Sequence, residues 1–221
     1  MTSLGRVLAT SASTVLLTST LLAFSGTAAH ADSSWSGTLT SGISAISVGT
    51  ENRTGYSRDL FRHWVDADGD GCDTRDEVLI AEADVAPTVG TGCSLTGGRW
   101  YSYYEGASQT DPSALDIDHM VPLAEAWDSG AGAWTSARRE AYANDLGDSR
   151  TLVGVTASYN RSKGDQDVAE WLPPINHCRY VKDWVAAKVR WSLTADTAEV
   201  AALRDVAAGC ADSAMTVTVV S

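Results

Sequence analysis

The segment Asp116-Ile117-Asp118-His119 places two carboxylates and an imidazole within four consecutive residues. A carboxylate is a hard ligand for a metal ion, and an imidazole takes up a proton near neutral pH. On a strand, alternate side chains share a face, so Asp116 and Asp118 would point one way and His119 the other unless a bulge or turn intervenes. Taken alone, the tetrad also fits a solvated surface loop.

A second polar segment supplies the groups that the tetrad lacks. Residues 160–165 (NRSKGD) follow the apolar run 151–155 (TLVGV). Asn160 offers an amide oxygen to a metal ion, while Arg161 and Lys163 offer cations to phosphate oxygens. A ββα-metal nuclease site requires this order of Asp-His on a strand, a helix, a second strand and Asn-x-x-Lys, because the second strand and its helix bring the last ligand beside the first.

Periodicity and capping signals predict the elements that must hold these groups. Asn176 is predicted to cap a long helix, and Asp196, followed three residues later by Glu199, is predicted to begin the last helix. Strands and helices that are dispersed without regular βαβ alternation predict an α+β fold. We predict strands over residues 116–121, 151–155 and 215–220 and helices over residues 136–144, 176–191 and 196–209.

Four blocks of the sequence resemble one known family. They are LDIDHMVPLAEAWDSGA (115–131), REAYANDL (139–146), NRSKGDQDVAEWLPP (160–174) and CRYVKDWVAAKVRW (178–191). On these blocks the chain resembles secreted actinobacterial HNH-family endonucleases, which are related to the C-terminal nuclease domain of GmrSD-type restriction enzymes. The resemblance implies a His-Me finger site, in which a ββα-metal core with additional helices and two disulfides cuts phosphodiester bonds with a divalent metal ion.

The resemblance also implies roles for single residues of the motif. His119 matches the general base, and Asp118 matches the carboxylate ligand that precedes it. Asn160 matches the last motif position, which is a metal ligand. Asp116 is a further candidate for the metal site, the alternative being a solvated carboxylate. In this scheme His119 takes a proton from the water that attacks phosphorus.

The middle Asn of the motif has two candidate positions. Asn144 lies in the interval, whereas Thr151 stands nearest the family spacing. The group that orients His119 is therefore either Asn144, which we place among the catalytic residues, or a backbone carbonyl. Lys163 and Arg161 are expected to share the charge of the phosphate.

The implied cofactor and partner follow from the same scheme. Mg²⁺ or Mn²⁺ is the expected ion, with Zn²⁺ as the alternative. The expected substrate is nucleic acid, namely DNA, with RNA as a second candidate. The mature protein is expected to be a monomer that does not contact a membrane.

The first 31 residues are predicted to be a secretory signal peptide. Arg6 provides the positive start, residues 7–24 are apolar, and Ala29-His30-Ala31 has the small residues of a cleavage site. The alternative is a membrane anchor, which the polar residues within the apolar run argue against. We therefore expect a secreted, extracellular protein with an N-terminal lead-in over residues 32–55 and a nuclease domain over residues 56–221.

Four cysteines follow the predicted signal peptide. An even number in an oxidising compartment indicates two disulfides, for which four cysteines allow three connectivities. We favour Cys72–Cys93 and Cys178–Cys210, because each bond closes a local loop. A zinc site is the alternative, but the sequence contains no C-x-x-C pair.

Residues 66–77 (DADGDGCDTRDE) fit the twelve-residue pattern of a calcium loop. Gly71 stands at the position of the sharp turn. The alternative is a solvated acidic turn in which Arg75 pairs with a carboxylate. The predicted ligands are the side chains of Asp66, Asp68, Asp70 and Glu77 and the backbone carbonyl of Cys72.

Composition excludes several classes of protein. The chain has 221 residues, 44% of them apolar, and a formal net charge of −12. These values exclude general disorder, a collagen-like repeat and a protein that coats nucleic acid by charge alone. Two alternatives to a nuclease remain open. One is a secreted metal-dependent hydrolase of another phosphodiester or of a cell-wall polymer, and the other is a non-enzymatic extracellular module stabilised by calcium.

Overall fold

The computed structural model describes residues 1–2 and 33–221. The predicted signal peptide therefore lies outside the described residues, apart from Met1 and Thr2. Residues 33–221 belong to one compact unit. None of the helices in this range combines the length and apolarity that crossing a bilayer requires.

The described residues form an α+β fold of eight short strands and seven α-helices, which confirms the predicted fold class. The strands pair as four antiparallel two-stranded sheets, β1 with β8, β2 with β3, β4 with β5 and β6 with β7. The strands are β1 (Ser33–Thr38), β2 (Thr88–Val89), β3 (Leu95–Thr96), β4 (Trp100–Ser102), β5 (Ala107–Gln109), β6 (Leu115–His119), β7 (Leu152–Thr156) and β8 (Ala214–Val219). The helices are α1 (Leu39–Ala45), α2 (Thr74–Glu82), α3 (Leu123–Asp128), α4 (Ser136–Ala143), α5 (Ala157–Lys163), α6 (His177–Trp191) and α7 (Thr197–Ala207).

Strands β6 and β7 and helix α5 form a ββα unit, which carries the predicted site. Asp118 is paired with Val153 and His119 with Leu152 across the two strands. Helix α5 begins directly after β7, so its side chains pack on one face of the pair. Because side chains alternate along a strand, the two aspartates of β6 face α5, whereas His119 lies on the other face.

Helix α6 is the centre of the core, and it agrees with the predicted helix. Tyr180, Trp184 and Trp191 are among its fully buried side chains. Its start differs in detail, because Asn176 has a positive φ of 61° and donates its amide to the carbonyl of Tyr103 instead of capping the helix. Helix α7 begins as predicted, with Asp196 accepting from the backbone N–H of Glu199 at 2.7 Å.

The N-terminal segment differs from the expected loose lead-in. Residues 33–38 form β1, which pairs over six residues with β8. Helix α1 follows at once and packs against α6 and α7. Gly42 allows this close approach, because a Cβ there would lie 2.5 Å from Met215 and 2.8 Å from Val185. The serines and threonines of β1 satisfy their backbone groups through β8, a long-range pairing that local composition does not reveal.

Both disulfides have the favoured connectivity. Cys72 is bonded to Cys93 and Cys178 to Cys210. The first joins the acidic loop before α2 to the short helix at Thr91–Cys93, and the second joins the start of α6 to the turn that follows α7. A disulfide that closes a loop of 21 or 32 residues restricts the unfolded chain and stabilises the fold by about 3–4 kcal/mol in the loop-entropy model.

Candidate active site

His119 ends β6 and is 6% exposed. Its ring stacks with those of Trp64 and Tyr142, at centroid distances of 5.6 Å and 6.3 Å. The Nε2 atom donates to the backbone carbonyl of Ala143 at 2.9 Å. Because a carbonyl only accepts, Nε2 carries the proton and Nδ1 keeps its lone pair. Burial lowers the pKa of His119 to about 3, so the imidazole is neutral at physiological pH.

The group that orients His119 is thus a backbone carbonyl, one of the two predicted alternatives. Asn144 directly follows Ala143 in the sequence, and it holds the Ala143 carbonyl in place without contacting the imidazole. The amide of Asn144 donates to the carbonyls of Arg62 and Glu140, each at 2.8 Å. Its oxygen accepts from the backbone of Val65 and the hydroxyl of Thr74. These bonds fix the end of α4, where the Ala143 carbonyl lies.

Thr151, which stands at the family spacing, has a different partner set. Its hydroxyl donates to the carbonyls of Asp145 and Asp148, at 2.9 Å and 2.7 Å. Its own carbonyl accepts from the backbone N–H of Met120 at 2.9 Å, which extends the β6–β7 pairing past His119. Thr151 therefore supports the strand end and does not contact the imidazole.

Asp118 and Lys163 form a buried ion pair between β6 and α5. Asp118 is 4% exposed and Lys163 is 0% exposed, and Nζ lies 2.6 Å from Asp118 Oδ2. Nζ also donates to the carbonyls of His119 and Met120, so the ammonium is fully hydrogen-bonded. The hydroxyl of Tyr104 donates to the same carboxylate oxygen. Burial raises the pKa of Asp118, and the Lys163 ammonium opposes that shift.

This placement corrects the expectation that Lys163 binds phosphate. A side chain with no exposure and three protein acceptors has neither access to a substrate nor a free donor. Lys163 instead links α5 to the backbone carbonyls of His119 and Met120. Lys163 thus supports the backbone at and after His119, and the cations that line the cleft are Arg58 and Arg161.

Asp116 and Asn160 lie side by side on the same face of the ββα unit. The Asn160 amide is 3.3 Å from Asp116 Oδ2. Arg161 donates to the same oxygen from 3.2 Å, with a side chain that is mostly exposed. Two of the three predicted metal residues, Asp116 and Asn160, are therefore in contact, and Arg161 is the predicted phosphate-binding residue that reaches solvent.

A cleft of about 260 Å³ opens where the end of β6 meets α3 and α5. It brings the predicted general base and the predicted last metal ligand to one surface. Two arginines and a tyrosine add polar groups that suit a phosphodiester. Its polar and charged lining comprises Tyr56, Arg58, Asp118, His119, Asn160, Arg161 and Asp165.

The chemistry of three side chains at and beside this cleft suits a hard divalent cation. Asp118 Oδ1 takes part in no hydrogen bond of the described residues, and Asp116 offers a second carboxylate. The Asn160 amide presents its oxygen beside Asp116 if it turns about its last torsion. Two carboxylates and an amide oxygen suit Mg²⁺ or Mn²⁺, whereas Zn²⁺ more often selects nitrogen and sulfur ligands.

Three of the residues that shape this site carry no signal in the sequence. Tyr104 contacts Asp118 across 14 positions, Ala143 acts through its backbone, and Trp64 stacks on His119 from the loop before α2. None of them stands at a fixed spacing from the Asp116–His119 tetrad. Arg58, which lines the cleft, precedes the acidic loop and was likewise not predicted.

The acidic loop forms a separate candidate metal site. Carboxylate oxygens of Asp66, Asp68 and Asp70 lie within 4.8 Å of one another. Glu77 lies in the first turn of α2, and desolvation together with the charges of these three aspartates raises its pKa. Arg75, the cation of the alternative acidic turn, forms an ion pair with Asp76 at 3.9 Å, as that alternative predicts, and also donates to the backbone carbonyls of Pro112 and Leu115 at 3.0 Å and 3.2 Å.

Comparison with known proteins agrees with the resemblance. Residues 85–206 match the family described as GmrSD restriction endonucleases, C-terminal domain. A protein of Arthroderma benhamiae (strain ATCC MYA-4681 / CBS 112371), described as an uncharacterized secreted protein, is 40% identical over 174 residues. That match covers 78% of this chain and 83% of the relative. No solved structure matches the chain.

Proposed function

This chain belongs to the family of the C-terminal domain of GmrSD restriction endonucleases, and on that premise we propose that it is a secreted, metal-dependent endonuclease that hydrolyses phosphodiester bonds of DNA. RNA is the second candidate substrate. The observation that carries the proposal is the setting of His119. The ring is neutral and held through Nε2, and it lines a cleft together with Asn160 and two arginines.

The residues of the cleft have distinct roles in the proposed reaction. His119 Nδ1 accepts a proton from the water that attacks phosphorus, because Nε2 is committed to the Ala143 carbonyl. Arg58 and Arg161 bind phosphate oxygens and hold the scissile bond in the cleft. Asn144 and Lys163 position the base through the backbone.

The metal ion belongs to the same cleft. Asp118, Asp116 and Asn160 would hold it, and when bound it supplies positive charge to the phosphoryl and leaving oxygens. A chain with a net charge of −12 repels a polyanion at long range. Substrate binding therefore depends on these local cations, and we expect it to weaken steeply as salt is added.

Secretion is proposed from independent observations. Two disulfides in the described residues indicate an oxidising compartment. The relative from Arthroderma benhamiae is described as secreted. The amino-terminal signal predicted from the sequence agrees with both.

The test of the function is cleavage of supercoiled plasmid by the purified, disulfide-bonded protein. We expect relaxed and then linear DNA with Mg²⁺ or Mn²⁺ and none with excess EDTA, because the carboxylates of the cleft need a cation before a phosphodiester can bind. Parallel reactions contain RNA and a peptidoglycan suspension. Intact nucleic acid in every metal condition would refute the proposal, and clearing of the peptidoglycan would identify the cell-wall hydrolase instead.

We further propose that the loop over residues 66–77 binds Ca²⁺ as a structural ion. Saturating Ca²⁺ is expected to raise the melting temperature by about 5–10 °C, since an ion bound only to the folded state stabilises it by mass action. Asp68→Asn removes a ligand and should reduce the rise by several degrees. Asp205→Asn changes an exposed aspartate of α7 and should keep the full rise. An equal rise in melting temperature in both variants would refute the proposal that the loop binds Ca²⁺.

A further inference from the structure

A second group of carboxylates lies outside the residues assigned so far. Glu51, Asp167 and Asp196 come from three distant parts of the chain, and each offers an oxygen within 4.8 Å of the others. Glu125 and Glu199 form a second such set with Glu51. Glu51 is exposed, so solvent ions can reach the group.

The three outer carboxylates keep oxygens free for a ligand. Asp167 uses Oδ1 to accept from the backbone of Ala169 and Glu170, and Asp196 uses Oδ1 to accept from the backbone of Glu199. No hydrogen bond of the described residues uses Oδ2 of either aspartate or the carboxylate of Glu51. Convergent oxygens without donors are what a cation site offers.

The inner carboxylates, in contrast, already share one cation. Lys188 is fully buried and donates to Glu125 at 2.7 Å and to Glu199 at 2.8 Å. It also donates to Ser129 and to the carbonyl of Thr194. All the donors of its ammonium group are therefore in use, and none remains for Glu51, Asp167 or Asp196.

An independent observation at Asp128 points to a missing cation. Asp128 is 6% exposed, and Arg53 Nε donates to its Oδ2 at 2.6 Å. Its Oδ1 is shielded from solvent and has no hydrogen-bond partner. Asp128 and Glu125 are three residues apart on α3 and so share a face, and Asp128 lies close enough to Glu51 for its charge to act on that carboxyl. A buried carboxylate oxygen without a partner is unfavourable unless a cation or water satisfies it.

The electrostatics of Glu51 agree with this arrangement. Desolvation, together with the charges of Glu125, Asp196, Asp167 and Asp128, raises the pKa of Glu51 to about 7. A carboxyl group that is crowded by like charges in this way would be relieved by a divalent cation.

We propose that Glu51, Asp167 and Asp196 bind a divalent cation of the Ca²⁺ class, with Asp128 adding its charge from α3. Ca²⁺ accepts several carboxylates from flexible positions and completes its shell with water, whereas Mg²⁺ demands a regular octahedron. The bound ion links the segment before Arg53, the loop after α5 and the start of α7. The site does not depend on the proposed nuclease activity or on the 66–77 loop.

The test is Ca²⁺ titration of the full mature protein by calorimetry. In an Asp66→Asn, Asp68→Asn, Asp70→Asn background, which removes the loop ligands, and with excess Mg²⁺ to occupy the cleft, we expect one Ca²⁺ to bind. Adding Glu51→Gln should weaken that binding by about tenfold or more, because a ligand charge is lost. The matched control is Asp205→Asn in the same background, which should bind as before.

A second measurement keeps the result independent of how the triple variant folds. Glu51→Gln with a native loop should bind one Ca²⁺ fewer than the wild type, and Asp205→Asn should bind the same number. The proposal is overturned if the loop-disabled protein takes up no Ca²⁺, or if Glu51→Gln leaves stoichiometry and affinity unchanged in the native protein.

Discussion

Replacement of His119 by alanine is expected to lower the rate of plasmid cleavage by about 10²–10⁴-fold, the range that a general base contributes. Nε2 of the ring is committed to the Ala143 carbonyl, so Nδ1 is the atom that accepts a proton from water. Alanine leaves the cleft without such an acceptor. The measurement is the initial rate of nicking with saturating Mg²⁺ or Mn²⁺.

His177→Ala is the matched control for this substitution. Nε2 of His177 also donates to a backbone carbonyl, that of Pro173 at 2.7 Å, but the side chain is exposed and outside the cleft. This variant should cleave at the wild-type rate. If the His119→Ala protein melts like the wild type and retains more than about a tenth of its activity, His119 is not the general base.

The neutrality of His119 follows chiefly from burial, to which the nearby charges of Arg58, His63 and Lys163 add. Trp64 and Tyr142 stack on the ring, and burial lowers its pKa to about 3. A protonated imidazole cannot accept a proton, so a base must be neutral before the reaction begins. Aromatic packing keeps the His119 imidazole neutral, and the Ala143 carbonyl selects the tautomer that is protonated on Nε2.

Capping pairs and apolar runs in the sequence correctly predicted the elements that carry them. Asp196 with Glu199 marked the start of α7, and the apolar run at 151–155 marked β7, which spans Leu152–Thr156. The signals failed where the decisive partner is far away in sequence. Residues 33–38 look like a loose polar segment, yet they pair with β8 at the other end of the chain. The local pattern of residues 33–38 cannot predict that pairing, because the partner strand lies at the other end of the chain.

The candidate site was likewise predictable where residue types and spacing are sufficient, and not where burial decides. The types and spacing of His119 and Asn160 identified the groups that line the cleft. The sequence could not distinguish an exposed lysine from a buried one, because Lys163 has the same spacing in either case. Its burial follows from the packing of α5 on β6, and Asp118 on the facing strand then becomes its partner.

Substitution of Lys163 by methionine is expected to destabilise the fold by about 3–5 kcal/mol, because removing one partner leaves the Asp118 carboxylate buried without a cation. The carbonyls of His119 and Met120 lose their donor as well. The free energy of unfolding is measured by denaturant titration. Lys182→Met is the control, since Lys182 also donates to a backbone carbonyl, that of Ala214, but near the surface, and it should change stability by less than about 1 kcal/mol.

A double variant separates the positioning role from a phosphate contact. Asp118→Asn with Lys163→Met removes both charges at once, so much of the lost stability should return, while cleavage stays impaired because Asp118 and the support of His119 are gone. A lysine that bound phosphate would behave differently. Its loss would leave the fold as stable as before and raise KM, with a weaker dependence of binding on salt. That pattern in Lys163→Met would contradict the buried ion pair, and with it the assignment of Lys163 as the residue that positions His119.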